Sequence, residues 1–169
     1  YVMIYINVYD TKATVVRLSN IYGPRASIHS PEFTFNNYFI GLALQDKDIT
    51  VYGDGKQLRN ILFVEDAIDA LVMSASSKKA DGNIFFAVGD EHYSVCDIAK
   101  LTAKHIGGGK VKFIDWPQGK KKADVGDALI SNKKIKKILG WSPQYTLPEG
   151  LKETKEYYLR HMDKYIKDR

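Results

Sequence analysis

The sequence is poor in the residues that build disulfides and metal sites. Its one cysteine, Cys96, has no second cysteine to pair with, so the chain cannot form an internal disulfide. Its four histidines are scattered without the spacing of zinc ligands, which argues against a metal site. No apolar run approaches the ~20 residues that cross a bilayer, and no basic-then-apolar leader opens the chain. We therefore expect a cytoplasmic protein with no bound metal and no membrane contact.

The chain does contain enough apolar material for a folded core. Hydrophobic residues make up 44% of its 169 positions and aromatic residues 12%, which is typical of one ordinary folded domain. The net charge of +5 suits an anionic ligand. Many lysines fall on the polar faces of predicted helices, so a solvated surface explains them better than nucleic-acid binding. Because Tyr1 already lies inside an apolar segment, we expect the chain to be part of a longer protein.

Strand-like and helix-like segments alternate along the chain, and this alternation predicts an α/β fold. The apolar and β-branched run over 13–18 indicates a buried strand of a parallel sheet. Shorter runs indicate further strands over 49–52, 61–64, 83–88 and 111–114. Apolar residues at helical spacing indicate helices over 2–9 and 33–44, from Asp66 onward, and around Ile135. Capping-box patterns predict two further helices, one after Ser94 with Asp97 and one after Thr146 with Glu149.

Two of the predicted helices have distinct apolar faces. The helix that begins at Asp66 carries Ile68, Leu71, Val72 and Ala75 as a single stripe. The last helix is predicted to run without a break and to carry Leu151, Thr154, Tyr158, Met162 and Tyr165.

Two places stand out as candidate ligand contacts. Ser19 and Asn20 follow the strand over 13–18, and ligands of open α/β sheets bind at the carboxyl ends of strands; residues 21–25 are predicted to leave the strand in a turn. The second place is the Gly-Asp-Gly turn over 53–55, followed by Arg59, whose guanidinium suits a phosphate or carboxylate. Taken alone, this second segment is favoured as a plain turn with a solvated arginine.

Four stretches together resemble one known family. They are RLSNIYGPR over 17–25, TVYGDGKQLR over 50–59, VED over 64–66, and VGD over 125–127 ahead of LGW over 139–141. In order and spacing they are similar to the extended short-chain dehydrogenases that modify nucleotide sugars, of which UDP-glucose 4-epimerase is the best-known type. The resemblance implies that residues 1–169 form the carboxyl-terminal half of such an enzyme. That half would hold the last strands of a Rossmann-like parallel sheet and a small α/β substrate-binding domain, without the amino-terminal Rossmann half.

The resemblance also implies roles for individual residues. Asn20 and Arg59 would contact the diphosphate or sugar, Val51 and Tyr52 would line the base, and Asp127 would hold a ribose. These roles agree with the chemistry of charged donors, a flat apolar face and a carboxylate acceptor. The residues assigned to substrate binding are Asn20, Asn37, Val51, Tyr52, Arg59, Lys122 and Asp127, and those assigned to the NAD cofactor are Ser19 and Ile21.

The chain departs from the family pattern at several positions. Many members have an arginine three residues before the aspartate equivalent to Asp127, but this chain has Asp124 there, so Lys121 or Lys122 would have to substitute as a phosphate-binding cation. A further aspartate of the family corresponds to Ser131, and a tyrosine that often follows the Arg59-type residue corresponds to Ile61.

The catalytic residues of the family do not occur in this sequence. Such enzymes use a Gly-rich dinucleotide loop and a helical Tyr-x-x-x-Lys pair. Tyr52 and Lys56 have that spacing, but the intervening Gly-Asp-Gly argues against a helix. We therefore expect the catalytic pair to lie upstream of Tyr1 and this chain alone to be inactive.

The favoured function is that of a UDP-sugar 4-epimerase, using NAD and forming a homodimer at full length. A dTDP- or CDP-glucose 4,6-dehydratase and a UDP-glucuronate decarboxylase remain alternatives. Two hypotheses of other classes are a non-catalytic nucleotide-sugar-binding module that begins near Tyr1 and a basic nucleic-acid binder.

Overall fold

The computed structural model describes residues 1–166, and within that range seven α-helices and seven strands follow one another. A π-helical turn, Ala103–Gly107, extends the fourth helix. The elements confirm the predicted α/β class. They are α1 (Val2–Tyr9), β1 (Val15–Leu18), β2 (Asn20–Tyr22), α2 (Phe35–Leu44), β3 (Ile49–Tyr52), β4 (Leu58–Phe63), α3 (Val64–Ser76), β5 (Ile84–Ala87), β6 (His92–Ser94), α4 (Val95–Thr102), β7 (Val111–Ile114), α5 (Lys133–Leu139), α6 (Leu147–Leu159) and α7 (Met162–Tyr165).

The strands form small sheets with mainly parallel pairing. Strand β1 pairs with β5, β2 pairs with β4, and β3 pairs with β7, all in parallel. Strand β6 adds to β4 in the antiparallel direction. Each parallel pair is separated in sequence by at least one helix, because parallel neighbours need a crossover connection.

The chain between β1 and β2 differs from the prediction. Asn20 does not lie in a turn after β1. It begins the short strand β2, in which Asn20 lies opposite Ile61 and Tyr22 lies opposite Phe63. The prediction that Ile21 and Tyr22 belong to a turn is therefore wrong. After the pairing of β1 with β5 ends at Leu18, these residues pair with β4 instead. The turn comes at Gly23, whose φ is 140°.

Two apolar clusters form the interior. The larger one lies between α2, β3, α4 and α6 and contains Phe39, Ile98 and Tyr158. The smaller one lies around β5, α3 and α5 and contains Phe85 and Trp141. The division into part of a cofactor sheet and a substrate-binding domain stays a prediction.

Helix α3 buries a different face from the one that its apolar stripe suggested. Ile68, Leu71 and Val72 are exposed, whereas Ala67 and Ala70 are buried. The small side chains face inward because α3 packs closely on the strands β1, β2 and β4. The larger apolar residues of α3 therefore form an outer face, and those of α1, Ile4, Tyr5 and Val8, are exposed as well.

Both predicted helix caps are present. Ser94 accepts a hydrogen bond from the amide of Asp97 at 3.0 Å, and Thr146 forms a reciprocal capping box with Glu149. The last helix, however, is broken after Leu159, and α7 forms a separate turn. The break lets the Tyr165 ring pack against the buried Tyr158 ring at 4.9 Å between centroids.

Within residues 1–166, no helix is long and apolar enough to cross a membrane. The same part of the chain contains no group of three or more His, Cys, Asp or Glu side chains placed to hold a metal ion.

Candidate functional site

The Gly-Asp-Gly turn joins β3 to β4 and needs its two glycines. Gly53 and Gly55 both have φ of 64°, a conformation that favours glycine. A Cβ on Gly55 would lie 2.6 Å from the Val51 side chain. Hydrogen bonds from Lys56 to the exposed Asp54 carboxyl lower the pKa of that carboxyl. These hydrogen bonds join two residues of the turn. The turn is therefore a rigid connection that sets where β4 starts.

Arg59, near the start of β4, makes its contacts within the chain. Its guanidinium donates to the carbonyl oxygens of Leu58 and Gly126. It also forms an ion pair with Asp124, with 2.7 Å between Nη2 and Oδ1. The side chains of Arg59 and Asp124 are only 14% and 21% exposed. The predicted diphosphate donor is thus already bound to a carboxylate.

Asp127 is held beside the same strand. Its Oδ1 accepts a hydrogen bond from the Leu58 amide at 2.8 Å, and the Ala128 amide donates to the Leu58 carbonyl at 3.0 Å. The segment 124–128 therefore runs along the start of β4. The structure brings Arg59 and Asp127 together, although 68 positions separate them in the sequence, counted from residue 59 to residue 127.

The asparagines near β2 form a hydrogen-bond network. The Asn20 amide donates to the Asn60 carbonyl at 3.0 Å, so Asn20 lies against the strand that carries Arg59. Asn37, near the start of α2, donates to the Ile21 carbonyl at 3.0 Å and to Thr34 Oγ1 at 2.6 Å. These contacts fix α2 to β2. The assignment of Asn20 and Asn37 to substrate binding stays a prediction.

The residues assigned to the base and to the second cation lie in different environments. Val51 is 1% exposed and belongs to the core, so its side chain does not reach an open surface. The Tyr52 ring lies 5.6 Å from the Trp116 ring. Lys122 is exposed and lies in a short 3-10 turn directly before Asp124.

Sequence reasoning missed Trp116. It packs so closely on the turn that a Cβ on Gly53 would lie 2.5 Å from its indole nitrogen. No local pattern marks this tryptophan, because it follows β7 and meets the turn only through the β3–β7 pairing. Asp124 departs from the family pattern, but no local pattern in the sequence predicts its pairing with Arg59.

A separate cavity of about 230 Å³ lies against the second half of β4, between the residues around Gly89 and the segment 143–147. Tyr22 and Tyr93 line it together with Glu91. Burial raises the pKa of both phenols, so they remain protonated and can donate hydrogen bonds. Arg59, Asp124 and Asp127 do not line this cavity, so it is distinct from the cluster described above.

A family model described as GDP-mannose 4,6 dehydratase matches residues 1–154 of this chain. This match covers most of the chain and includes each of the four motif stretches. The chain belongs to the extended short-chain dehydrogenase family of nucleotide-sugar epimerases and dehydratases. The resemblance and the Rossmann-like fold class inferred from the sequence are confirmed.

Individual members of this family show the same relationship. UDP-glucuronic acid decarboxylase 1 of Xenopus tropicalis is 32% identical over 158 residues, which cover 88% of this chain and 34% of that enzyme. The solved UDP-glucose 4-epimerase of Thermotoga maritima, in a structure with UDP-glucose, has a TM-score of 0.85 at 27% identity and covers 96% of this chain and 50% of its own.

A third member is solved with its cofactor. The UDP-glucuronic acid 4-epimerase of Bacillus cereus, in complex with UDP-glucuronic acid and NAD, has a TM-score of 0.75 at 25% identity and covers 94% of this chain and 48% of its own. NAD is the cofactor of the family. The chain spans between a third and a half of the length of these three relatives.

The surroundings of Ser19 bear on whether this chain could contact NAD. Its hydroxyl is buried at the carboxyl end of β1 and has no hydrogen-bond partner among the residues that the structure describes. An unpaired buried hydroxyl is costly, so a missing partner is expected there. A polar group of NAD would satisfy this hydroxyl, and the assignment of Ser19 to the cofactor stays a prediction. Ile21 lies half-buried in β2, and its assignment to the cofactor stays a prediction.

Proposed function

We propose that this chain is the substrate-binding, carboxyl-terminal half of an NAD-dependent nucleotide-sugar enzyme, and that this enzyme is a UDP-sugar 4-epimerase. The observation that carries the proposal is the meeting of Arg59 and Asp127 beside the Gly-Asp-Gly turn. A guanidinium next to a carboxylate provides one group for a diphosphate and one for a ribose diol. Relatives named for UDP-sugars support uridine as the base.

The residues of this chain would bind and orient the nucleotide sugar, while the proton-transfer pair would lie upstream of Tyr1. NAD, when bound, supplies the hydride chemistry at C4 of the sugar. This chain alone is expected to be inactive, and the full-length enzyme is expected to be a homodimer.

UDP-glucuronate decarboxylation is the second candidate. It is favoured by the 32% identity to the frog decarboxylase, which exceeds the identity to the Thermotoga epimerase. A dTDP- or CDP-glucose 4,6-dehydratase is the third. Assays of the full-length protein with UDP-glucose and UDP-glucuronate, following UDP-galactose and UDP-xylose respectively, separate the first two.

The deciding binding experiment is calorimetry of the full-length protein against UDP-, dTDP-, CDP- and GDP-sugars. We expect UDP-sugars to bind most tightly. Arg59→Ala should weaken UDP binding by about 2 to 4 kcal/mol, as for loss of a charge-assisted phosphate contact. Arg160→Ala, which removes an exposed arginine of the same charge, is the matched control and should leave the affinity unchanged.

Unchanged UDP affinity in Arg59→Ala would reject the assigned role of Arg59.

The alternative of a non-catalytic module is tested by the gene upstream of Tyr1: a start codon there, with neither a Gly-x-x-Gly-x-x-Gly loop nor a Tyr-x-x-x-Lys pair, would end the enzyme proposal. A nucleic-acid binder would instead show affinity for DNA or RNA that falls steeply with salt.

A further inference from the structure

The Arg59–Asp124 ion pair places a carboxylate where an anionic ligand would bind. We propose that Asp124 is an internal competitor for Arg59, which the diphosphate of a nucleotide ligand must displace, so that Asp124 sets the affinity of the site. This inference rests on the proposed function, because it assigns Arg59 to the diphosphate.

The charge of Arg59 is already neutralised within the chain by Asp124. Asp124 contacts the guanidinium at 2.7 Å, and Asp127 lies on the same segment against Leu58. A diphosphate that approached Arg59 with Asp124 in place would meet a like charge in a setting where both paired side chains are largely shielded from water. Such like-charge contacts are strongly unfavourable when water is excluded. In this proposal the diphosphate and the Asp124 carboxylate therefore compete for the same guanidinium.

The backbone around Asp124 allows the carboxylate to leave. Gly119 and Gly126 flank it with φ of 81° and 66°, and a Cβ on either glycine would meet no atom within 4 Å. Between them the Asp124 amide donates to the nearby Lys121 carbonyl at 3.3 Å. The segment 120–125 is thus bounded by two uncrowded glycines, of which Gly126 is tied to Arg59 through its carbonyl oxygen. Small residues at such boundaries can act as hinges, so the turn would take place between Gly119 and Gly126.

The same movement would bring positive charge to the ligand. Lys121 and Lys122 are exposed and lie within three residues of Asp124. When the segment turns Asp124 away from Arg59, these ammonium groups move with it and can reach the phosphates. The exchange replaces a carboxylate with a cation at the site, and it gives Lys122 the role that the sequence assigned to it.

A positioning role for Asp124 makes the opposite prediction. If Asp124 instead holds the guanidinium in the direction from which it contacts phosphate, its removal should weaken binding. The sign of the change in affinity therefore separates competition from positioning.

The test is Asp124→Asn in the full-length protein, which removes the charge and keeps the side-chain size. Calorimetry would use inorganic pyrophosphate, UDP and uridine as probes. We expect the affinity for pyrophosphate and UDP to rise about tenfold or more, since a like charge is removed from the site. Uridine affinity should be unchanged, because uridine carries no phosphate.

Two further variants control the experiment. Asp48→Asn breaks the distant ion pair between Asp48 and Lys112 and should change none of the three affinities. Arg59→Ala combined with Asp124→Asn should lose the gain, because the competition is for Arg59.

The outcomes distinguish a failure of the Asp124 competition from a failure of the proposed nucleotide-sugar function. Unchanged or weaker pyrophosphate and UDP affinity in Asp124→Asn would overturn the competition, and tight UDP binding by the unmodified protein would leave the proposed function standing. A gain for pyrophosphate, with UDP bound no more tightly than pyrophosphate in either protein, would support the competition and reject the nucleotide-sugar function. An equal gain for uridine would show that Asp124 acts through the fold and would overturn the competition, as would the absence of any binding.

Discussion

Asp66 shows how a single buried carboxylate can fix a chain segment distant in sequence. It lies in the first turn of α3 and is 1% exposed. Its two oxygens accept hydrogen bonds from the amides of Gln144 at 2.7 Å and Tyr145 at 3.2 Å. The indole of Trp141 donates to its carbonyl oxygen at 3.2 Å. Asp66 thus joins α3 to the segment that leads into α6, which gives the VED motif of this chain a structural role.

Replacing Asp66 with alanine should lower the free energy of unfolding by about 1 to 3 kcal/mol, because two amides lose their acceptor. Asp69→Ala, an exposed position on the same helix, is the matched control and should change stability by less than about 0.5 kcal/mol. Urea unfolding followed by circular dichroism measures both. Equal losses in the two variants would contradict the role of Asp66.

The same variant has a pH signature. Burial is the largest cause that raises the pKa of Asp66 above its ordinary value of 3.8. The folded protein therefore binds this proton more tightly than the unfolded chain does. The contribution of this proton to the free energy of unfolding is complete below pH 3.8 and declines as the pH rises through the pKa of Asp66 in the folded protein. The stability difference between the unmodified protein and Asp66→Ala should accordingly narrow across that window.

At the scale of elements, α6 shows how local sequence and distant packing combine. Its start is determined locally: the Glu149 carboxylate accepts from the Thr146 amide at 2.9 Å, and the Thr146 hydroxyl accepts in return from the Glu149 amide. Its position is determined by packing, because Gly150 lies against the Tyr22 ring and a Cβ there would overlap the phenol oxygen. A cap alone could begin this helix but could not place it.

Thr146→Ala should lower the free energy of unfolding by about 1 kcal/mol, the usual cost of losing a helix cap. Thr146→Ser keeps the hydroxyl and should retain most of the stability. Thermal or urea unfolding of the two variants measures the difference. If serine and alanine proved equally destabilising, the lost methyl contact and not the cap would explain the effect.

At the scale of the whole molecule, two helices present apolar faces to solvent. On α1, Ile4, Tyr5 and Val8 are 58%, 56% and 64% exposed. On α3, Leu71 and Val72 are 46% and 57% exposed. Contiguous apolar surface of this kind commonly marks a contact with another chain segment or protein.

We expect residues 1–169, produced alone, to self-associate through these faces. Light scattering and sedimentation should show species larger than a monomer. Replacing both Leu71 and Val72 with glutamate should reduce the association, whereas Lys152→Glu, at an exposed position on α6, should not. A monodisperse monomer of the unmodified chain would contradict this prediction.

Local sequence was sufficient for the features that depend on near neighbours. The bounds of β3 and β7, the two helix caps and the glycine turn all follow from residues within a few positions of one another, because backbone conformation and capping are local interactions. The motif order likewise identified the family, since a ligand site constrains residue types at fixed places along the chain.

Only the tertiary structure decided which distant groups meet. Strand β1 ends at Leu18 and Asn20 starts another strand because β4 lies close enough to pair with it. Helix α3 turns its alanines inward because it packs closely on the strands beneath it. Arg59 meets Asp124 across 65 positions, the difference between 124 and 59. Such contacts depend on the packing energy of the complete fold, which no local pattern contains. The sequence by itself determined the family and the residue types of the candidate site, and the fold decided that its arginine is already paired.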